Sequence, residues 1–565
     1  MIVERDVPVP MRDGVVLRAD VYRPENDALV PAIVNRTPYD RSSPLIQLAA
    51  IEPERVVDAG FALVCQDVRG RFASEGEFYT FFADGKDSCD TVEWAAAQSW
   101  CDGAVGMAGR SYAAAVQWLG ALERPPHLRA ISPIVTGSDY YDGWIYEGGA
   151  FQLGFNVFWI WLMTEPRSVN KLDEVYRHLP LRTLRVSDLA WARLYAHWLA
   201  HCTDDYYWRS LSINRRYEQI EVPALIVGGW YDVFLRGTIE NFVGMRERGG
   251  SDDARRGQRL VIGPWAHGST YGPYPDHSFA PFAPHDALDV ADLQLRFFDR
   301  WLRGERNGID DEPPVQIFVM GENRWRAEDD WPLARARETS WFLREGGALT
   351  QEGPGSEAPD EYVYDPRDPA PTIGGPTSLP SKMMKANSGP LDQSRLGDRD
   401  DVLVYTSDML EEALEVTGPL SVVLHAATEG DDTDFVAKLA DVTPEGQALI
   451  LAEGVLRARF RDGFDRERPP EPGHVYEYTI DLGATSNLFL PGHQIRLLVT
   501  SSSFPRFDRN PNTGNPLGVD EADDLRAARQ TIFHDAQRSG WAPTSSTRGL
   551  TFSTGTSTRW TRRRG

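Results

Sequence analysis

The stretch Asp102-Gly-Ala-Val-Gly-Met-Ala-Gly-Arg-Ser111-Tyr-Ala-Ala-Ala-Val116 reads as a buried strand, a sharp turn and a helix, with Ser111 at the apex. A turn this tight strains the serine backbone and crowds its neighbours, so small residues are needed two before and two after it. Gly109 and Ala113 meet that need. A serine held this way can attack a carbonyl carbon once a neighbouring base takes its proton. Alanine at 113 relaxes the strict G-x-S-x-G pattern without violating its steric reason. The same pattern also describes an ordinary serine in a glycine-rich turn before a helix.

Order along the chain separates these readings. An α/β-hydrolase supplies its triad as Ser, then Asp or Glu, then His, the acid and base each just past a later strand. Here Val222-Pro-Ala-Leu-Ile-Val-Gly-Gly-Trp-Tyr-Asp232 is an apolar run suited to a parallel strand and ends in a carboxylate. Arg259-Leu-Val-Ile-Gly-Pro-Trp-Ala-His267 repeats the pattern with a histidine. Of 11 histidines, only His267 follows such a run directly after the Asp232 strand. Asp232 also suits a turn or helix N-cap, sites that aspartate favours. An oxyanion hole needs two donors; one is the backbone N–H after the nucleophile, that of Tyr112. The early run Val30-Pro-Ala-Ile-Val-Asn-Arg-Thr-Pro-Tyr39 ends in a proline-fixed turn that would offer the Tyr39 hydroxyl as the second, or would use that ring for packing.

These residues carry a resemblance to the CocE/NonD family of serine hydrolases, which groups cocaine esterases and glutaryl acylases and is related to the Xaa-Pro dipeptidyl-peptidases and α-amino-acid ester hydrolases. The likeness runs through Val9-Pro-Met-Arg-Asp-Gly-Val, Thr37-Pro-Tyr-Asp40, Gln66-Asp-Val-Arg-Gly-Arg-Phe-Ala-Ser-Glu-Gly-Glu-Phe78, Trp100-Cys-Asp-Gly-Ala-Val-Gly-Met107, Gly229-Trp-Tyr-Asp232 and Gly263-Pro-Trp-Ala-His267. It continues with Asp432-Thr-Asp-Phe-Val-Ala-Lys-Leu439, Phe489-Leu-Pro-Gly-His493 and Ser502-Ser-Phe-Pro-Arg-Phe-Asp-Arg-Asn-Pro-Asn-Thr-Gly514, so nearly the whole chain is covered. The resemblance implies Ser111 as nucleophile, His267 as base, Asp232 as acid, and Tyr39 with the Tyr112 amide as oxyanion hole. Two features depart from the family. Ala114 stands where glycine is usual, and the stretch 539–565, rich in Ser, Thr and Gly, does not read like the closing strand and is expected to be a poorly packed tail.

At 565 residues the chain is too long for one core. The expected fold class is α/β: an α/β-hydrolase core with a helical cap insertion and a C-terminal all-β domain, which the resemblance specifies as a jelly roll. Residues 1–144 and 217–340 should form the two parts of the core. The aromatic-rich, helically spaced segment 145–216 should be the cap, and 341–565 the β-sandwich, similar to the Xaa-Pro dipeptidyl-peptidase C-terminal domain. Gly353 to Gly389, rich in Pro, Gly and Ser, is expected to cross the surface irregularly. Most cap rings will be the cap's own core, but Trp144, Trp159 and Phe234 are expected to face an apolar acyl or aryl pocket.

A formal charge of -24, from 83 acids against 59 bases, argues against nucleic-acid or anionic membrane partners. The partners expected are a small-molecule ester or amide and a second copy in a homodimer. Cys65, Cys89, Cys101 and Cys202 have no metal spacing, and Cys65 in its apolar run reads as a buried free thiol. No cofactor and no catalytic metal is expected. Met1-Ile-Val-Glu-Arg-Asp lacks a signal pattern and no run of 18 apolar residues exists, so a cytoplasmic location is expected.

Three activities fit: a carboxylesterase with apolar walls, an α-amino-acid ester hydrolase or Xaa-Pro peptidase, and a non-catalytic jelly-roll binding protein. The second must anchor a free ammonium, for which Glu147, Glu165, Asp204 and Asp205 are candidates. The third would carry a degenerate triad, whereas all three positions here hold competent residues.

Overall fold

The computed structural model describes residues 1–43, 51–268, 273–281, 288–379, 387–534 and 550–555. Its first sheet has ten strands: β1 (Ile2–Pro10), β2 (Val16–Arg23), β3 (Val30–Thr37), β4 (Ala62–Asp67), β5 (Cys101–Arg110), β6 (Leu128–Ile134), β7 (Leu225–Tyr231), β8 (Arg259–Ala266), β9 (Val315–Val319) and β10 (Arg324–Glu328). They lie in the order β1-β2-β4-β3-β5-β6-β7-β8-β9-β10. The strands from β4 to β9 run parallel, flanked by antiparallel β1 and β2 at one edge and β10 at the other. Both faces of the parallel part are covered, so its strands read as unbroken apolar runs rather than alternating ones.

On one face Val34, Val64, Met107 and Ile131 pack with Val92 of α1 (Asp84–Ala96) and Trp118 of α2 (Tyr112–Leu122). On the other, Ile33, Leu63, Ala108 and Ala130 meet Phe297 and Phe298, both in the helix Val290–Leu302. After β6 the chain forms a two-residue ribbon (Tyr146–Glu147 with Ala150–Phe151). It then forms α3 (Leu153–Thr164) and α4 (Leu189–Ala200) before re-entering the sheet at β7. Asp188 caps α4 by accepting the N–H groups of Ala190 and Trp191. Trp159 of α3 stands edge-on to Trp191 at 5.0 Å and stacks on Trp198 at 6.1 Å, locking the two helices together.

Sheet membership changes between Glu328 and Arg337, where antiparallel strands begin. β11 (Leu414–Thr428) pairs with β14 (Tyr476–Phe489), while β12 (Asp434–Val442) lies between β13 (Ala448–Arg457) and β15 (Gln494–Thr500). The two layers meet where Phe435 and Tyr478 pack with ring centroids 4.6 Å apart. This unit is joined to the first sheet by the Met320 N–H to Ser486 and the Leu488 N–H to Met320, at 3.0 and 2.8 Å.

Two expectations are corrected. Leu550–Gly555, placed in the poorly packed tail, is a strand hydrogen-bonded to Arg337–Arg344 on one side and to β11 on the other, with Leu550 buried. The rest of the tail from 539 lies outside the described residues. The crossing from Gly353 to Gly389 carries a regular strand, Asp360–Tyr364, paired with Ala528–Phe533; its residues 380–386 also lie outside them. The four cysteines are unpaired. Among the described residues no helix is long and apolar enough to cross a membrane.

Candidate active site

Ser111 sits between β5 and α2 with φ 57° and ψ -117°, a strained conformation for a residue with a side chain. Its N–H is held by the Ile134 carbonyl at 2.9 Å, and its carbonyl accepts from Ala114 and Ala115. The turn is as crowded as the sequence implied: a Cβ on Gly109 would lie 2.7 Å from that of Ala113. Ala114, where the resemblance has glycine, is accommodated fully buried.

β7 ends one residue before Asp232, and β8 one residue before His267, so parallel neighbours deliver a carboxylate and an imidazole to the same edge. The His267 Nδ1 lies 2.9 Å from Asp232 Oδ2, and Nε2 lies 3.0 Å from Ser111 Oγ. The buried Asp232 also accepts the Phe234 N–H at 2.7 Å on its other oxygen, which fixes the carboxylate plane. With Nδ1 protonated towards Asp232, Nε2 is left as the acceptor facing the serine. Phe234 and Phe155 stand edge-on to the imidazole, with centroids at 5.2 and 5.9 Å. Arg110 donates to the His267 carbonyl and so ties the end of β5 to the residue that follows β8.

The side chains of Ser111 and Trp159 lie against the Tyr39 hydroxyl. Burial pushes that hydroxyl up to about 12, while these two neighbours and the charge of Arg71 draw it down. It therefore stays protonated, and a donor, at any working pH. The Tyr112 amide opens α2 and has no acceptor among the described residues, as befits a helix N-terminus. The Tyr112 side chain points away, its hydroxyl donating to buried Asp84 at 2.6 Å.

A cavity of about 360 Å³ opens over Ser111 and His267. Trp159 lines it; Trp144 and Phe234 do not. Those two rings pack on each other at 4.3 Å in a second layer, Trp144 against Tyr140 and Phe234 beneath His267. The walls instead come from Phe155, Phe158, Trp159 and Leu162, with Asn35, Thr37, Arg110 and Ser378 as polar members. The helix residues fall at i, i+3, i+4 and i+7 of α3, a single stripe that the sequence analysis did not use. Ser378 arrives from the irregular crossing of the C-terminal half, and no local sequence signal marks it. Among the described lining residues there is no carboxylate. Glu147 is bound by Arg506 at 2.9 Å, and Asp204 by Arg215 at 2.6 Å. Asp205 holds His201 at 2.6 Å, and Glu165 ends α3 away from the lining. No group of three or more His, Cys, Asp or Glu among the described residues is set to hold a metal ion.

Comparison with known proteins finds two family matches along the chain. Residues 13–269 match the X-Pro dipeptidyl-peptidase (S15 family), and 307–540 match the X-Pro dipeptidyl-peptidase C-terminal non-catalytic domain. A cocaine esterase from Rhodococcus sp. (strain MB1 Bresler) is 37% identical over 561 residues, 94% of this chain and 96% of that protein. Among solved structures, an aminopeptidase from a marine sediment Thaumarchaeota archaeon superposes with a TM-score of 0.84 at 27% identity, covering 98% of this chain and 97% of that one. An α-amino acid ester hydrolase superposes at 0.79 with 25% identity, covering 98% and 96%. With a relative this similar end to end, the chain belongs to the CocE/NonD family of serine hydrolases, and its two halves are similar to the S15 catalytic and C-terminal domains.

Proposed function

We propose that the chain hydrolyses carboxylic esters with an uncharged, apolar acyl or aryl group through an acyl-enzyme on Ser111. The observation that carries this reading is the unbroken relay from Asp232 to His267 to Ser111, at 2.9 and 3.0 Å, opening into an apolar cavity. Ser111 Oγ attacks the ester carbonyl as its proton passes to His267 Nε2, and Asp232 stabilises the imidazolium that forms. The tetrahedral oxyanion accepts from the Tyr39 hydroxyl and the Tyr112 N–H. Its collapse expels the alcohol with the proton from His267, and a water molecule then repeats the sequence to release the acid.

In this reading the helices of 145–216 act as a cap whose α3 stripe supplies the acyl wall. We read the C-terminal unit as a jelly roll that closes the site from the side, and Ser378 in the lining supports the second part of that reading. The four unpaired thiols favour a reducing compartment, the cytoplasm. Removing one oxyanion donor typically costs about a hundred- to a thousandfold in rate, so Tyr39→Phe should lower kcat by that factor with little change in KM. Full kcat in Tyr39→Phe would exclude Tyr39 from the hole.

Ester and amino-peptidase chemistry are separated by a paired assay of the enzyme on a short acyl aryl ester and on an amino-acyl or Xaa-Pro arylamide. Because no carboxylate lines the described cavity, the plain ester should be turned over and blocking the amine of the second substrate should not reduce its rate. A rate on the free-amine substrate that is lost on blocking would overturn the reading in favour of an ammonium-anchoring peptidase or amino-ester hydrolase.

A further inference from the structure

Arg71 differs from the arginines around it. Arg36 lies against Asp84, Arg41 against Asp67 and Asp20, and Arg69 against Asp87 and Asp13. Among the described residues Arg71 has no carboxylate within ion-pair distance, although it is half buried. Its guanidinium is sandwiched between Phe72 and Phe78, 5.1 and 5.3 Å from the ring centroids, and its Nε–H donates to the Pro38 carbonyl at 3.3 Å. Asp188, whose charge it feels most, is already engaged in capping α4. Holding a cation in such a place is unfavourable unless something uses the charge.

The loop that carries Arg71 is closed by backbone hydrogen bonds and is tied to the segment that leads into the Tyr39 turn. The Val68 N–H donates to the Thr37 carbonyl at 3.0 Å, the Arg71 N–H to Val68 at 3.1 Å, and the Ser74 N–H to the Arg71 carbonyl at 3.0 Å. Gly70 has φ +69°, and a Cβ there would lie 2.2 Å from the Phe78 amide nitrogen, so the loop has one available path. The guanidinium is thus anchored on the residue immediately before Tyr39, and its charge eases the ionisation of the Tyr39 hydroxyl.

We propose that Arg71 is a positioning residue for the oxyanion hole: its guanidinium, fastened to the Pro38 carbonyl and matched by no carboxylate among the described residues, fixes the Tyr39 turn and polarises the Tyr39 hydroxyl. A donor in the field of a cation gives more to an acceptor that gains negative charge than to a neutral carbonyl, so the benefit falls on the transition state. The inference rests on the reading of Tyr39 as an oxyanion donor.

The test is a double-mutant cycle of Arg71→Gln and Tyr39→Phe on 4-nitrophenyl butyrate, with sites counted by fluorophosphonate labelling. Gln removes the charge but keeps an amide donor for Pro38. In the otherwise native enzyme Arg71→Gln should lower kcat about tenfold with KM within about twofold, a fraction of what losing the whole donor costs. In Tyr39→Phe the same change should cost less than about twofold. Equal losses in both backgrounds, or none in the native one, overturn the proposal while leaving the triad reading intact. If Tyr39→Phe itself is fully active, the oxyanion-hole reading fails and the proposal with it.

Arg71→Lys gives a second arm that does not depend on Gln folding well, because its charge can be titrated. On an alkyl ester followed by pH-stat its kcat should fall about tenfold as the lysine loses its proton, at or below pH about 10, while the native enzyme shows no such step. The step should vanish when Tyr39 is also Phe. A flat profile, or a step that persists without the hydroxyl, overturns the proposal.

Discussion

Ser111→Ala should lower kcat by about a millionfold, roughly 8 kcal/mol of transition-state stabilisation, while KM for an aryl ester changes little. The loss is this large because the serine, its base and the base's acid act as one unit, so removing the atom that bonds to carbon removes the benefit of the other two. The variant should be as stable as the native enzyme, since alanine keeps the Cβ that strains the backbone at φ 57°. Ser111→Gly separates the two effects. Glycine relieves strain of about 1–3 kcal/mol and costs about 0.4–1 kcal/mol through the freedom of the unfolded chain. Ser111→Gly should therefore unfold about 1 kcal/mol later than Ser111→Ala in urea and be equally inactive. Hydrolysis surviving in Ser111→Ala would mean that another group carries the reaction.

The second large effect is expected at Asp232. Replacing it with asparagine keeps the size and one oxygen, but Asp232 uses both: one accepts from the His267 Nδ1 side at 2.9 Å, the other from the Phe234 N–H at 2.7 Å. Asparagine can keep one of these as acceptor and must turn an amide N–H towards the other. With the backbone N–H of Phe234 unable to accept, the amide faces His267, whose Nδ1 must then accept and whose Nε2 carries the proton. The base is in the wrong tautomer with its geometry intact, a change expected to lower kcat by about ten-thousandfold. Stopped-flow measurement should show acylation and deacylation both slowed, because His267 Nε2 must take the proton of the serine in one step and of water in the other. A loss of less than about tenfold would reassign Asp232 to the strand-end turn that its residue type also suits.

The juxtaposition of Ser111, His267 and Asp232, read here as a triad, was legible because each member obeys a local rule. Gly109 and Ala113 are small because their atoms nearly touch, and Asp232 and His267 follow apolar runs because the strands beneath them are buried on both faces. The pocket was less legible. Trp144, Trp159 and Phe234 are all aromatic and near the site in sequence, but which ring faces the cavity depends on how α3 lies over the sheet. Phe234 packs against His267 while its own amide donates to Asp232, and its ring lies outside the cavity lining. The stripe Phe155, Phe158, Trp159, Leu162 did carry a readable signal in its helical spacing. The strand Leu550–Gly555 did not, because its order comes from two partners more than a hundred residues earlier in the chain rather than from its own Ser, Thr and Gly residues. Ser378 was hidden for the same reason: an irregular segment's path is set by what it packs against.

The most direct test of the central claim is intact and peptide mass spectrometry of the enzyme quenched in acid during turnover of a slowly deacylating aryl ester. The account predicts one acyl group per chain, carried on the peptide that contains Ser111, appearing with the first burst of alcohol and absent from Ser111→Ala. Turnover without a covalent adduct, or an adduct on any other residue, would contradict it.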